Sequence, residues 1–156
     1  MQLDHHFAVS VAWQGNRGTG TSGYREYGRE NAVEAPGKGA IDGSAARVFH
    51  GNSDRWNPEE LLIAALSQCH MLSCLHVAVQ NGIVVTEYTD AATGTMRQTP
   101  DGGGHFTAVT LRPRVTISEG DAAVARAIHA KASELCFIAN SVNFPVRHEP
   151  EIVVVP

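Results

Sequence analysis

The sequence predicts a mixed α+β fold in a single domain over residues 1–156, and three observations carry that reading. Short stretches with strand periodicity, separated by Gly and Pro, fill the first fifty residues. One long apolar segment follows, with clear helix start and stop signals. A hairpin pattern, a second helix and a closing strand complete the order. Strands and helices do not alternate strictly, which sets the pattern apart from a βαβ repeat.

Phe7 to Trp13 alternates large and small residues, the two-residue period of a strand. Gly15 to Gly23 is rich in Gly and Thr and reads as a turn. Between residues 24 and 51, Tyr24, Tyr27, Val33, Ile41, Val48 and Phe49 mark short antiparallel strands. Asn57 opens the clearest helix. It is a good N-cap, Pro58 suits the first helical position, and Glu59 and Glu60 favour the positive end of the helix dipole. The body, LLIAALSQCHMLSCLHVAVQ, is apolar on nearly every side, as in a buried helix, and Asn81-Gly82 stops it. Val84–Met96 and Phe106–Ile117 read as two strands of a hairpin joined by Gln98–Gly104. Ser118 to Asp121 starts a second helix, with a stripe of Val124, Ile128, Ala132 and Leu135 that Cys136 continues. Glu151–Val155 is a closing strand.

Composition narrows the function classes. A length of 156 residues suits one domain with a real core. The formal net charge is −4 and no basic stripe is visible, which argues against nucleic acid as a partner. The N-terminus lacks the pattern of a cleaved leader, and no uninterrupted apolar run approaches the roughly 20 residues of a membrane span. Three cysteines are too few, and odd in number, for a secreted disulfide framework. The expectation is a soluble cytoplasmic protein with no membrane partner.

The chemistry rests on Cys69 and Cys136, in two different helix-like segments. A thiol attacks as thiolate, so its free pKa of about 8.5 must be lowered by a cation or dipole. Two thiols that meet in the fold form a dithiol that can be oxidised and reduced in cycles. Two that do not meet are small core hydrophobes.

The segment NPEELLIAALSQC resembles the signature of the OsmC/Ohr family, the osmotically inducible and organic hydroperoxide resistance proteins. The glutamate after its proline lies ten residues before the cysteine, as Glu59 does before Cys69. The order of elements is similar along essentially the whole chain, with specific motifs at 57–69 and 129–141. The resemblance implies a thiol-dependent peroxidase, with no cofactor, acting on organic hydroperoxides or hydrogen peroxide in oxidative-stress defence. It implies an intertwined homodimer and recycling by an external dithiol, a lipoyl protein in the Ohr branch. It assigns Cys69 as the peroxidatic thiol, Cys136 as the resolving thiol, and Glu59 as the partner of a catalytic arginine. Arg47, in the apolar context AARVF, is the first candidate for that arginine, with Arg25 and Arg55 behind it. The sequence departs from the family pattern at Phe137, where proline is usual, at His70, where an aromatic residue is common, and in the extra Cys74. The alternative is a non-catalytic member that binds a small hydrophobic ligand at the dimer interface.

Helix geometry adds a condition. Ten residues rise about 15 Å, so Glu59 and Cys69 of one straight helix cannot touch. For both to serve one site, Glu59 comes from a partner whose central helix runs antiparallel, with a two-fold axis near Ala64–Ala65.

Two patterns mislead. Gly18 to Gly23 matches G-x-G-x-x-G, but the polar, Gly/Pro-broken segment after it cannot open a dinucleotide-binding helix. CHMLSCLH holds two cysteines and two histidines, yet His70 and Cys74 share one helical face and Cys69 and His76 another, so four ligands cannot converge on one metal. His5, His6, His105, His129 and His148 read as surface residues, Trp13 and Trp56 as packing residues, and Cys74 as core.

Overall fold

The structure is a computed structural model that describes residues 1 and 3–156. The chain divides into two compact units, Met1–Leu61 and Leu62–Pro156.

The first unit is built on an antiparallel sheet of β1 (Ser10–Trp13), β2 (Asn31–Glu34) and β3 (Ile41–Gly43), in that order. Trp13 faces Asn31, and Asn31 faces Gly43. The first strand is three residues shorter at its start than the alternation suggests, and its side chains are exposed along its length. The glycine-rich segment is a turn. Asn16 Oδ1 accepts from the backbone amides of Gly18 and Gly20 at 2.9 and 3.0 Å, Gly18 takes a φ of 116° that favours glycine, and Asn16 bridges to Tyr27. Trp13 packs edge-on to Tyr27 and donates from Nε1 to the Gly28 carbonyl at 2.8 Å, whereas Trp56 is half exposed. No strand forms at AARVF. Arg47–Phe49 is a 3₁₀ turn instead, and Arg47 is exposed on it.

Helix α1 (Pro58–Gln80) begins in the first unit as the capping signals require. Asn57 Oδ1 accepts from the Glu60 amide at 2.9 Å and the Asn57 carbonyl accepts from Leu61 at 3.0 Å. At its other end Gly82 takes a φ of 67°, the Ile83 amide donates to Ala78 and the Gly82 amide to Val79, which caps two free carbonyls at once. The helix is not buried on all sides. Leu66, His70, Cys74, Val77 and Ala78 form one buried stripe, while Leu72 and Val79 are 57% and 80% exposed. By length and composition α1 is apolar enough to cross a membrane, contrary to the expectation from uninterrupted runs. Ser67, Gln68 and Ser73 break the run without making the segment polar on average.

In the second unit the expected hairpin forms, but each arm is broken in two. The first arm is β4 (Val84–Asp90) and β5 (Thr93–Gln98), the second β6 (Gly104–Leu111) and β7 (Pro113–Glu119). β5 pairs antiparallel with β6, and β4 with β7, in two different sheets. Asp90 and Arg112 hold the break: the Arg112 amide donates to Asp90 Oδ1 at 2.6 Å and its guanidinium reaches Thr93 Oγ1 at 2.8 Å. β8 (Val146–His148), absent from the sequence reading, runs parallel to β6, and β9 (Glu151–Val154) runs parallel to β7.

Helix α2 (Ala122–Leu135) is capped by Asp121, whose carboxylate accepts from the amides of Ala123 and Val124. Its buried stripe is Ala125, Ile128, His129 and Ala132, so Val124 and Leu135 are corrected to exposed positions and His129 to a buried one. One core cluster joins Cys74, Val77 and Ala78 of α1 to Ala125, Ile128 and Ala132 of α2 and to Val115 and Ile117 of β7. A second gathers Leu66, Val109 and Leu111 with half-buried neighbours that include Phe106 and Phe144.

Candidate functional site

Cys69 and Cys136 meet. Cys69 is half-buried on α1, and Cys136, 1% exposed, is the residue at which α2 ends. Two segments 67 positions apart in sequence are brought near one another by the packing of α1 and α2 on the β4-β7-β9 sheet, close enough for Cys69 to shift the Cys136 thiol. Both are free thiols. Burial pushes the Cys136 thiol up to about 11, the hydrogen bond with Cys69 adds to the shift, and the Ala139 amide, donating to Cys136 Sγ at 3.4 Å, opposes it. Cys136 is therefore held protonated beside Cys69. Phe137, next to it, is 79% exposed.

The other named residues lie in the first unit. Glu59 is in the opening turn of α1, and its Oε2 is buried without a hydrogen-bond partner. Arg55 is in the same condition: its Nη1 is buried without a hydrogen bond, with Asp42 Oδ1 3.9 Å away. Arg47 and Arg25 are exposed. A buried carboxylate and a buried guanidinium without full partners are costly to leave so, which marks them as groups that await one.

The unforeseen feature is a polar cluster inside the second unit. His70 Nε2 lies 3.0 Å from His129 Nδ1, and His129 Nε2 lies 3.8 Å from Cys74 Sγ. The rings of His70 and His148 stack with centroids 5.5 Å apart, and those of His129 and His148 lie 6.2 Å apart. His148 Nδ1 and the Tyr88 hydroxyl are buried without partners. Burial pushes His70 and His129 down to about 4. The charge of His148 adds to the shift for His70, against Asp90, and those of His70, His148 and Arg126 add to it for His129. Burial also raises Cys74 to about 11 and raises Tyr88 well above the usual phenol range, the latter with help from Cys74 and Asp90. The surface reading of His129 is thus overturned, and that of His148 as well, since it is half-buried against both other rings. A helical period started from Ala125 would have placed His129 on the inner face; the apolar stripe started from Val124 hid it.

The cluster does not form a metal centre. Among the described residues no group of three or more His, Cys, Asp and Glu is arranged to hold an ion. The rings stack instead of converging, and the two nitrogens of His129 serve different neighbours.

The comparisons agree with the fold. The family model described as OsmC-like protein matches residues 51–151. The solved structure of an OsmC-like protein of unknown function from Vibrio cholerae superimposes with a TM-score of 0.85 at 31% identity, over 95% of this chain and 100% of that one. An organic hydroperoxide resistance protein from Elizabethkingia anophelis shares the fold with a TM-score of 0.69 at 18% identity, over 99% of this chain and 100% of the other. The Bacillus subtilis protein YmaD is 26% identical over 160 residues, which is 97% of this chain and 95% of YmaD. The chain belongs to the OsmC-like protein family.

Proposed function

We propose that the protein is a cytoplasmic thiol-dependent peroxidase that reduces organic hydroperoxides or hydrogen peroxide in oxidative-stress defence. The observation that carries this reading is the contact between Cys69 and Cys136. It is also what the non-catalytic alternative lacks a use for.

The Cys69 thiolate attacks one oxygen of the peroxide. The O–O bond breaks, the second oxygen leaves as the alcohol after taking a proton, and Cys69 becomes a sulfenic acid. Cys136, its neighbour, then attacks the Cys69 sulfur. Its proton leaves with the sulfenic hydroxyl as water, and a Cys69–Cys136 disulfide forms. An external dithiol, such as a lipoyl protein, returns two electrons by exchange through a mixed disulfide. The high pKa of Cys136 suits this division of labour, because the resolving thiol stays protonated while Cys69 reacts.

A cation that stabilises the thiolate and orients the peroxide comes from the arginines of the first unit, held by Glu59 in a bidentate pair. Arg47 has the sequence context of the family arginine, one residue further from the NPEE motif than the family pattern. Arg55 fits the burial, since its Nη1 and Glu59 Oε2 are both buried without a hydrogen bond. The functional unit is a homodimer over the single 1–156 domain, with Glu59 of one chain serving Cys69 of the other. The exposed apolar side chains of α1, Leu72 and Val79, are what such a partner would cover.

The test is direct. Reduced protein is exposed in parallel to cumene hydroperoxide and hydrogen peroxide, and thiol loss and the Cys69–Cys136 disulfide are followed by mass spectrometry. Oxidation no faster than that of free cysteine defeats the proposal.

A further inference from the structure

The first unit carries an open cleft of about 540 Å³ that the peroxidase reading does not use as a whole. It is lined by Arg17, Tyr24, Arg25, Tyr27, Arg29 and His50. Three of the chain's 12 Lys and Arg side chains thus face one cavity in a protein of net charge −4. No carboxylate lines it, and among the described residues none lies within 4 Å of these three guanidiniums. One acid feels the group from outside: Glu30 is held below the usual carboxylate range by its own backbone hydrogen bond first, then by Asn52, Arg17 and Arg55.

The three arginines are not equivalent. Arg29 builds the wall. Its Nη1 donates to the carbonyls of Tyr24 and Tyr27 at 2.9 and 2.7 Å, and its guanidinium lies 4.0 Å from the centroid of the Tyr27 ring. Arg17 makes a single long hydrogen bond, to the Arg25 carbonyl at 3.4 Å. Arg25 makes none from its side chain among the described residues, and the Tyr24 ring is 82% exposed at the rim. His50 adds a second line of support. It is the one non-glycine among the described residues with a positive φ, 66°, a conformation that costs an L-residue about 1 kcal/mol and that gathers at ligand sites. The turn Arg47–Phe49 holds it there through the His50 amide to the Arg47 carbonyl at 3.0 Å.

We propose that this cavity is a binding site for a small phosphate monoester that carries a planar aromatic group. Arg17 and Arg25 supply two guanidinium forks with donors to spare, the geometry that grips phosphate oxygens in pairs. Their charges, with Arg29 behind them, match a group of about two negative charges at neutral pH better than a single carboxylate. The volume exceeds what bare phosphate fills and lies in the range of small-ligand pockets. Tyr24, with one face free, stacks the planar portion. This inference goes beyond the peroxidase reading and does not rest on it.

The experiment titrates the isotope-labelled full chain with adenosine 5′-monophosphate, inorganic phosphate and adenosine, and reads amide shifts by NMR. Saturable shifts confined to residues 16–30 and 50 are expected with the monophosphate, weaker ones with phosphate, and none with adenosine over the same range. Arg17→Gln and Arg25→Gln should each weaken the monophosphate by about tenfold, the loss of a charge-assisted hydrogen bond. Tyr24→Ala should weaken the monophosphate and leave inorganic phosphate unchanged. Cys69→Ser protein, inactive as a peroxidase on the reading above, should bind as the parent does, so failure of either idea is read separately. Absence of saturable shifts, adenosine binding as tightly as its monophosphate, or affinity unchanged in both arginine variants overturns the site.

Discussion

His70 Nε2 and His129 Nδ1 approach to 3.0 Å in the interior of the second unit, 2% and 0% exposed. A contact that short between two imidazole nitrogens is favourable when one donates and the other accepts, so a single proton lies between them. With Cys74 on the far nitrogen of His129, the three side chains form a chain that ties α1 to α2. Each member is neutral in the fold because burial penalises the charged form.

Acid should therefore loosen the protein. His70 and His129 titrate near 4 when folded against an ordinary 6.5, so between these values the unfolded chain binds more protons than the folded one. Stability is full above about pH 6.5 and falls as the pH drops toward 4, by at most about 1.4 kcal/mol per pH unit for each histidine. Thermal melts at pH 7.5, 6 and 5 measure it. His129→Gln should flatten the slope while lowering the melting temperature. A parent protein whose melting temperature is the same at all three values would contradict the neutral-imidazole account. At the alkaline end, Cys74 and Cys136, raised to about 11 from 9.0, keep their protons longer in the fold, so stability declines as the pH rises through that interval.

The two thiols should separate kinetically. Cys69→Ser is expected to abolish peroxide consumption, while Cys136→Ser should give one turnover and stop at a sulfenic acid. A dimedone adduct on Cys69, found by mass spectrometry only in the second variant, is the signature. An adduct on Cys74 instead would reassign the attacking residue.

Mixing inactive chains tests the composite site. In a heterodimer of Cys69→Ser and Glu59→Gln chains, one site regains both an intact thiol and an intact carboxylate. Free exchange makes half of the dimers mixed, so about a quarter of the parent activity should return. If the mixture stays as inactive as its components after exchange is verified, Glu59 acts within its own chain or not at all.

The two arginines are ranked by burial. Arg55→Gln should lower kcat/KM by about a hundredfold, the size of effect typical for removing one preorganised donor. Arg47→Gln, on an exposed turn, should cost less than about fivefold. The reverse order would return the role to Arg47.

Helix ends were readable because capping is local. Asn57, Pro58, Asn81-Gly82 and Asp121 each act on backbone groups within a few residues, and all four do what the sequence implies. The α2 stripe was misread for a related reason: periodicity assigned by apolarity alone skips a buried histidine, so Val124 and Leu135 displaced Ala125 and His129. The break in the hairpin was not legible either. Asp90 and Arg112 lie 22 positions apart, and a side chain that pins two strands at a sheet change leaves no periodic mark.

The sequence by itself determined the boundaries of α1, the start of α2, the family, and the pair of thiols to watch. These depend on short-range chemistry: caps, turn residues, and a motif written in consecutive positions. Tertiary structure alone decided that Cys69 and Cys136 are neighbours, that His70, Cys74, His129 and His148 share one interior, and that three arginines line one cleft. Each of these is a meeting of side chains whose partners are set by packing, since burial and contact belong to the folded chain and not to any stretch of it.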